Sequence, residues 1–143
     1  MDKSQNHDEL VRLAREAREQ AYAPYSNYPV GAALLGKSGR IYKGCNVENS
    51  SFGLAICAER TAVFKAVSEG EREFEAIAVV TSNGGTPCGA CRQVLFEFMA
   101  PEAPVIVADT VGNRQLFRVG ELLAAGFGPS KLPGGRNAVD ARK

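Results

Sequence analysis

No apolar run in this chain approaches the ~20 residues that a membrane-spanning helix needs. An excess of charge is missing as well: 17 Lys and Arg stand against 16 Asp and Glu, a formal net charge of +1. That balance exerts no long-range pull on a polyanion, so binding of a nucleic acid polymer would need a local basic patch. The opening stretch, MDKSQNHDEL, lacks the apolar core of a secretory signal. Histidine is nearly absent, with His7 the only one, and no internal repeat is visible. There are 4 cysteines. Without an export signal they point to reduced thiols in a cytoplasmic setting, used for metal binding or catalysis and not as a disulfide framework.

What remains is an ordinary soluble composition. The 143 residues suit one domain, and 45% hydrophobic with 23% charged residues is enough for a real core. Residues 1–7 are polar and are expected to fray. From Asp8, the stretch DELVRLAREAREQAYA places Leu10, Val11, Leu13, Ala14, Ala17 and Ala21 along one side at helical spacing, until PYSNYP breaks it. VGAALLG and RIYKGCNV, joined by KSG, read as a β-hairpin. CAERTAVFKAVSEG reads as a helix closing on Gly70, with Ala62, Val63, Ala66 and Val67 inward. FEAIAVVTS is a buried strand and CGACRQVLFEFMA a second helix, stopped by Pro101 and Pro104. PVIVAD is another buried strand, RQLFRV an edge strand, and GELLAAGF one or two helical turns. The expected fold is a three-layer α/β/α sandwich around a central five-stranded mixed sheet. One domain spans 1–143, with residues 1–7 and about 129–143 flexible or held by a partner.

The chemistry concentrates in TPCGACRQV, residues 86–94. Cys88 and Cys91 have a metal-binding spacing, but two thiolates leave a tetrahedral ion half bound. Cys57 opens the preceding helix, and the Cys88/Cys91 pair opens the next. Helix N-termini stabilise thiolates through free N–H groups and the positive dipole end. Two helices can therefore aim three thiolates at one point, leaving a fourth position open as in working zinc sites. His7 sits in the loose N-terminal segment and is a poor ligand candidate. Cys45 is the more serious rival for the fourth position, although a lone strand cysteine commonly packs as a small hydrophobe.

Glu59 stands two residues after Cys57. Alone, an acid in a first turn only complements the helix dipole. Beside an open zinc, a carboxylate there can take a proton from a water whose pKa has fallen from 15.7 toward ~7. Three thiolates overcompensate Zn²⁺, and Arg60 can return positive potential by hydrogen bonding to sulfur; its alternative is a solvated helix arginine.

Cys57-Ala58-Glu59 followed by Pro87-Cys88-Gly89-Ala90-Cys91 resembles the zinc nucleoside deaminases, whose signature is H-x-E…P-C-x-x-C, in a three-cysteine form. More closely, AYAPYSNYPVGAALL, GCNVENSSFG, CAERTAVFKAVSEG and PCGACRQVL resemble segments of the small homotetrameric cytidine deaminases, in order and spacing, over roughly residues 8 to 128. The resemblance implies deamination of cytidine and deoxycytidine to uridine and deoxyuridine, one zinc per chain on Cys57, Cys88 and Cys91, and Glu59 as proton shuttle. It also implies that the Ala58 N–H and the Thr86 carbonyl meet the base edge, and that Asn46 and Glu48 bind the ribose. Tyr28 stands where the family usually carries Phe and would stack on the pyrimidine. Phe127 corresponds to an aromatic inserted into a neighbour's site, and Phe52 to a position near the subunit boundary that is usually Tyr.

Several rivals stay open. A deaminase of the nucleoside antibiotic blasticidin S shares the zinc motif, although Glu48 favours a plain ribose. A polynucleotide editor lacks support, since no basic-aromatic tract follows a backbone. A structural zinc module would use all four cysteines and give Glu59 no role. A CxxC thiol oxidoreductase leaves Cys57 unexplained.

Overall fold

The computed structural model describes residues 3–133. Five strands form one mixed sheet in the order β2-β1-β3-β4-β5. They are β1 (Gly31–Gly36), β2 (Ile41–Cys45), β3 (Phe74–Val80), β4 (Pro104–Ala108) and β5 (Arg114–Arg118). The β1–β2 hairpin is antiparallel, pairing Gly31 with Cys45 and Leu35 with Ile41. β3 runs antiparallel to β1 and parallel to β4, and β5 returns antiparallel along the outer edge. A parallel neighbour requires a long crossover, and the residues between β3 and β4 supply it as a helix, α3 (Gly89–Phe98).

Side-chain alternation along the strands assigns each face a helix layer. Ala33, Ala76, Ala78, Val80, Ile106 and Ala108 face α1 (Lys3–Arg18), which buries Leu10, Val11 and Ala14 against them. Ala32, Leu34, Ile77, Val79, Val105 and Val107 face the other way, toward Ala62, Val63 and Ala66 of α2 (Ala58–Ser68) and Leu95 of α3. A short helix, α4 (Val119–Leu122), adds Val119 to this second core. The expected three layers and five-stranded mixed sheet are therefore present. β5 is mostly exposed and begins and ends on arginine, charges that suit an edge strand.

The boundaries differ from the expectation at two places. α1 begins at Lys3, inside the segment expected to fray, and stops at Arg18, before the apolar spacing runs out. Asp8, in the second turn of α1, pairs across the fold with Arg114 of β5, a contact sequence spacing cannot display. Of the tail expected to be loose, Pro129–Lys131 form a 3-10 turn; residues 134–143 lie outside the described residues. Among the described residues, no helix is long and apolar enough to cross a membrane.

α2 ends as its sequence suggests. Gly70 takes φ +96, the Gly70 N–H reaches the Val67 carbonyl at 3.0 Å, and the Glu71 N–H reaches the Ala66 carbonyl at 3.0 Å. That pair of bonds is the Schellman stop. At its other end α2 lies almost on the backbone of β2. A Cβ on Gly44 would stand 2.6 Å from both the Ala58 carbonyl oxygen and the Ala62 nitrogen. The absence of a side chain at position 44 thus sets how deep the first turn of α2, with Cys57 at its cap, can sit.

Gly44→Ala should accordingly destabilise the chain by ~1–3 kcal/mol, the usual cost of overpacking. Gly53→Ala, where a Cβ meets nothing within 4 Å, is the matched comparison. Urea unfolding at equal chain concentration reads both; equal midpoints for the two variants would disprove the close approach.

Candidate active site

Cys57 caps α2 and Cys88 caps α3, both with extended backbone (φ −78, ψ 156 and φ −67, ψ 169). Neither sulfur is spent on capping its own helix. The side chains turn toward each other instead, with Cys57 Sγ 3.7 Å from Cys88 Sγ. Cys91, one turn into α3 and fully buried, brings its Sγ to 3.5 Å from that of Cys88. All three sulfurs lie within 4.8 Å of one another. Sulfurs on a tetrahedral zinc with Zn–S of ~2.3 Å are about 3.8 Å apart, so spacing and donor type both fit that ion.

Cys45 and His7 do not join the group. Cys45 ends β2 and is half-buried, and burial raises its thiol pKa. His7 lies in α1, beside Arg114 and Leu116 of β5. Among the described residues, only Cys57, Cys88 and Cys91 form a metal-ligating group.

Arg60 follows one turn after Cys57 and donates from Nη2 to Cys57 Sγ at 3.4 Å. Its buried Nε has no hydrogen-bond partner, so the guanidinium is committed to the sulfurs without being saturated. The Cys57 thiol is held well below its ordinary range, chiefly by a hydrogen bond from Cys91 and also by Arg60 and Cys88. Cys91 is pushed upward by that same bond to Cys57 and by burial. Arg60 is raised by its bond to Cys57. The cluster therefore stabilises negative charge on sulfur with a fixed cation beside it.

Glu59 is 4% exposed and faces the same space. Burial pushes its carboxyl up to about 7, and the charge on Cys57 adds to that, while its own backbone N–H and Arg60 pull it down. A buried carboxyl balanced near neutrality can both take and return a proton.

These groups open on a cleft of about 540 Å³. Tyr28, Val30, Asn46 and Glu48 form one side; Val79, Thr81, Gly85 and Thr86 form another; Glu59, Arg60, Cys57 and Cys88 lie within it. Ala58 is the first residue of α2 and wholly buried, so its N–H belongs to the turn that has no partner inside the helix. Phe127 does not line the cleft: it is 57% exposed, and its carbonyl accepts from Gln93 Nε2 at 2.8 Å.

The residues expected to read a sugar are held in different ways. Asn46, 8% exposed, accepts from the Val30 N–H at 2.9 Å and donates from Nδ2 to the Tyr28 carbonyl at 2.9 Å. Its amide thereby fixes the loop that forms the cleft wall. Glu48 accepts from the backbone N–H groups of Tyr25 (3.0 Å) and Ser26 (3.1 Å), and from the Ser26 hydroxyl. The Ser26 hydroxyl is the main cause of its lowered pKa, so it stays ionised. A carboxylate offers about four acceptor sites, and one is left for a hydroxyl in the cleft.

Sequence reasoning passed over Ser26, Thr81, Asn83 and Arg92. Arg92 ties the metal-side loop together, donating to the Pro87 carbonyl at 2.7 Å, Thr86 Oγ1 at 2.7 Å and the Leu122 carbonyl at 3.0 Å. Thr81 Oγ1 accepts from the N–H groups of Gly84 (2.8 Å) and Gly85 (3.0 Å). The turn composition of SNY and TSNGG marked both loops, since Ser, Thr and Asn hydrogen bond to nearby backbone. Nothing local marked Arg92.

Comparison with known proteins agrees with this geometry. A family model, the cytidine and deoxycytidylate deaminase zinc-binding region, matches residues 4–107. A cytidine deaminase of Sporosarcina psychrophila is 50% identical over 127 residues, 87% of this chain and 93% of the relative. One from Halalkalibacterium halodurans is 51% identical over 120 residues, covering 82% and 91%. A crystal structure of cytidine deaminase from Burkholderia pseudomallei superposes with TM-score 0.81 at 49% identity, over 85% of this chain and 98% of that one. With three sulfurs, a buried acid and a cleft in the arrangement that the matched motifs anticipate, this chain belongs to the cytidine and deoxycytidylate deaminase family.

Proposed function

We propose that this chain catalyses the zinc-dependent hydrolysis of cytidine and deoxycytidine to uridine and deoxyuridine with release of ammonia, as a cytoplasmic enzyme of pyrimidine salvage. The observation that carries the proposal is the buried Glu59 facing a cleft that also contains sulfurs of a cluster within 4.8 Å of one another. Cys57, Cys88 and Cys91 would hold one zinc ion per chain. Bound there, zinc supplies an activated water at neutral pH by lowering that water's pKa toward ~7.

The remaining work falls to the protein. With that water supplied, Glu59 would take one of its protons and deliver it to N3 of the pyrimidine. It would carry the other to the departing amine as the C4–N4 bond breaks and the water oxygen is kept on C4. Cytidine and water would thereby give uridine and ammonia. Burial raises the pKa of Glu59, which favours holding a proton between the two transfers. Arg60 offsets the excess negative charge of three thiolates. The Ala58 N–H and Thr86 carbonyl are proposed to meet the base edge, and the Tyr28 ring to stack on it. Glu48, with one acceptor site free, is proposed to receive a ribose hydroxyl. Asn46 contributes beside it, with its amide already engaged by the cleft wall. The balanced charge of the chain favours a small nucleoside over a nucleic acid polymer.

Assembly as a homotetramer with shared sites is part of the same proposal. Phe52 is 76% exposed at the cleft wall, and Tyr22, Tyr25 and Leu54 are also exposed. Phe127, turned away from its own cleft, is free to enter a neighbour's. Large apolar groups at such positions are expected at subunit boundaries.

Turnover is read from ultraviolet absorbance with cytidine, deoxycytidine, cytidine monophosphate and blasticidin S in parallel. Zinc-loaded protein should consume the first two fastest. Glu59→Gln should keep one zinc per chain and lose ~10²–10⁴ in kcat; near-parental turnover would end the proton-shuttle assignment. Cys88→Ala should lose its zinc by elemental analysis, whereas Cys45→Ala should retain one ion per chain. Loss from the second variant would instead favour a four-cysteine structural site. Phe127→Ala should raise KM for cytidine, and an unchanged KM would remove it from any neighbour's site.

A further inference from the structure

The Tyr28 side chain is held in a way that the usual phenylalanine at this position could not match. Its hydroxyl donates to Asn83 Oδ1 at 2.6 Å. Tyr28 belongs to the loop before β1, and Asn83 to the loop after β3, so the bond ties together two neighbouring loops that border the cleft. The backbone of Tyr28 is fixed as well: its N–H donates to Ser26 Oγ at 3.1 Å, and its carbonyl accepts from Asn46 Nδ2 at 2.9 Å. The hydroxyl is therefore the anchor that sets the far end of the ring.

Asn83 is suited to that anchoring role and to no direct contact. It does not line the cleft. Its Oδ1 also faces the Gly85 N–H at 3.2 Å and Thr81 Oγ1 at 3.4 Å, so one carbonyl oxygen gathers the loop and the ring together. Space around the anchor is tight: a Cβ on Gly85 would stand 2.7 Å from the Tyr28 hydroxyl oxygen. The ring end, the glycine backbone and the Asn83 amide thus meet at one solvent-facing corner, and both Tyr28 and Gly85 also line the cleft.

We infer that Asn83 is a positioning residue for nucleoside binding: by accepting from the Tyr28 hydroxyl it latches the ring to the neighbouring loop and presets the face offered to the pyrimidine. This rests on the reading of Tyr28 as a substrate contact. Preorganisation of this kind lowers the ordering cost of binding and leaves the proton transfers at Glu59 alone. It is read in KM and not in kcat.

Steady-state kinetics with cytidine on the zinc-loaded protein test it. Tyr28→Phe and Asn83→Ala should each raise KM about three- to tenfold, the range expected for losing one hydrogen bond. Their kcat should stay within about twofold, as expected for binding without chemistry. The double variant should be no worse than the more affected single one, because both remove the same bond. Asn83→Asp, which keeps the acceptor oxygen, should recover most of the loss. The Gly84 and Gly85 N–H groups still have Thr81 Oγ1 in every variant, so the turn survives. Tyr28→Ala separates the latch from the ring contact beneath it. If it raises KM while Tyr28→Phe does not, the latch is wrong and the ring contact stands. If Tyr28→Ala also leaves KM unchanged, the contact itself is wrong and the latch falls with it. Losses that multiply in the double variant, or a lowered melting temperature with parental KM, would likewise overturn the latch.

Discussion

Two helices meet at their N-termini, and the rest of the molecule is arranged so that they can. Cys57 and Cys88 occupy the caps of α2 and α3, and the whole three-sulfur group lies within 4.8 Å. Bringing two positive dipole ends together is unfavourable without negative charge between them. Thiolates supply that charge, so the cysteines are a condition of the packing as well as its product. The sheet meets its share of the constraint through small residues. Gly44 lets α2 settle onto β2, and Ala58, Ala62 and Ala66 form the fully buried contact face of the helix. On the other side, the parallel β3–β4 pair places α3 as the crossover between two buried strands, which fixes its start next to the start of α2.

From that junction the electrostatics follow. A cluster of three thiolates carries more negative charge than a divalent cation cancels. Arg60 stands on the same turn as Cys57 and contributes a permanent positive charge at 3.4 Å. Glu59, its neighbour in sequence, points to the cleft and is deprived of solvent. Adjacent residues thus do opposite things. Both line the cleft, but Arg60 donates to the Cys57 sulfur while Glu59 is a buried acid facing the open space, so one residue steadies charge on sulfur and the other offers a carboxyl to the cleft. A carboxyl in water would be fully ionised near neutral pH and a weak proton donor. Burial moves Glu59 to about 7, where both protonation states are accessible.

How much of this is legible in the sequence depends on the range of the interaction. The hairpin, the stop at Gly70, the Cys88/Cys91 pair and Cys57 with Glu59 two residues on are written in local spacing, because turns, caps and metal motifs are short-range; the meeting of Cys57 with a pair 31 positions away is a product of the fold. The ion pair from Asp8 of α1 to Arg114 is not written in local spacing either, because the two residues lie 106 positions apart. Arg92 escapes notice for a similar reason. Beside Cys91 it looks like any polar helix residue, yet its guanidinium gathers the carbonyls of Pro87 and Leu122 and the hydroxyl of Thr86. Asn46 reads in sequence as a ligand group, and the fold adds a second role, in which its amide closes the loop around Tyr28 and Val30. Polar side chains that serve backbone partners and a ligand together look the same in sequence as those that serve one.

The two halves of the cleft are built on different principles, and this bears on how such a site can vary. The sulfur side stands on two helices and a parallel strand pair, so a small shift there would move sulfur, arginine and acid together. The opposite side is made of loops, held by side-chain bonds to backbone: Glu48 to Tyr25 and Ser26, Asn46 to Tyr28 and Val30, Thr81 to Gly84 and Gly85. Each of those bonds is confined to its loops, and losing one leaves the helices where they are. Loops on a rigid frame therefore tolerate substitution that the frame does not. The tyrosine at position 28 fits that division. The added hydroxyl finds an acceptor in the neighbouring loop at 2.6 Å and asks nothing of the metal side. Changes on the loop side can therefore reshape the cleft while the acid and the sulfurs stay fixed on the helices.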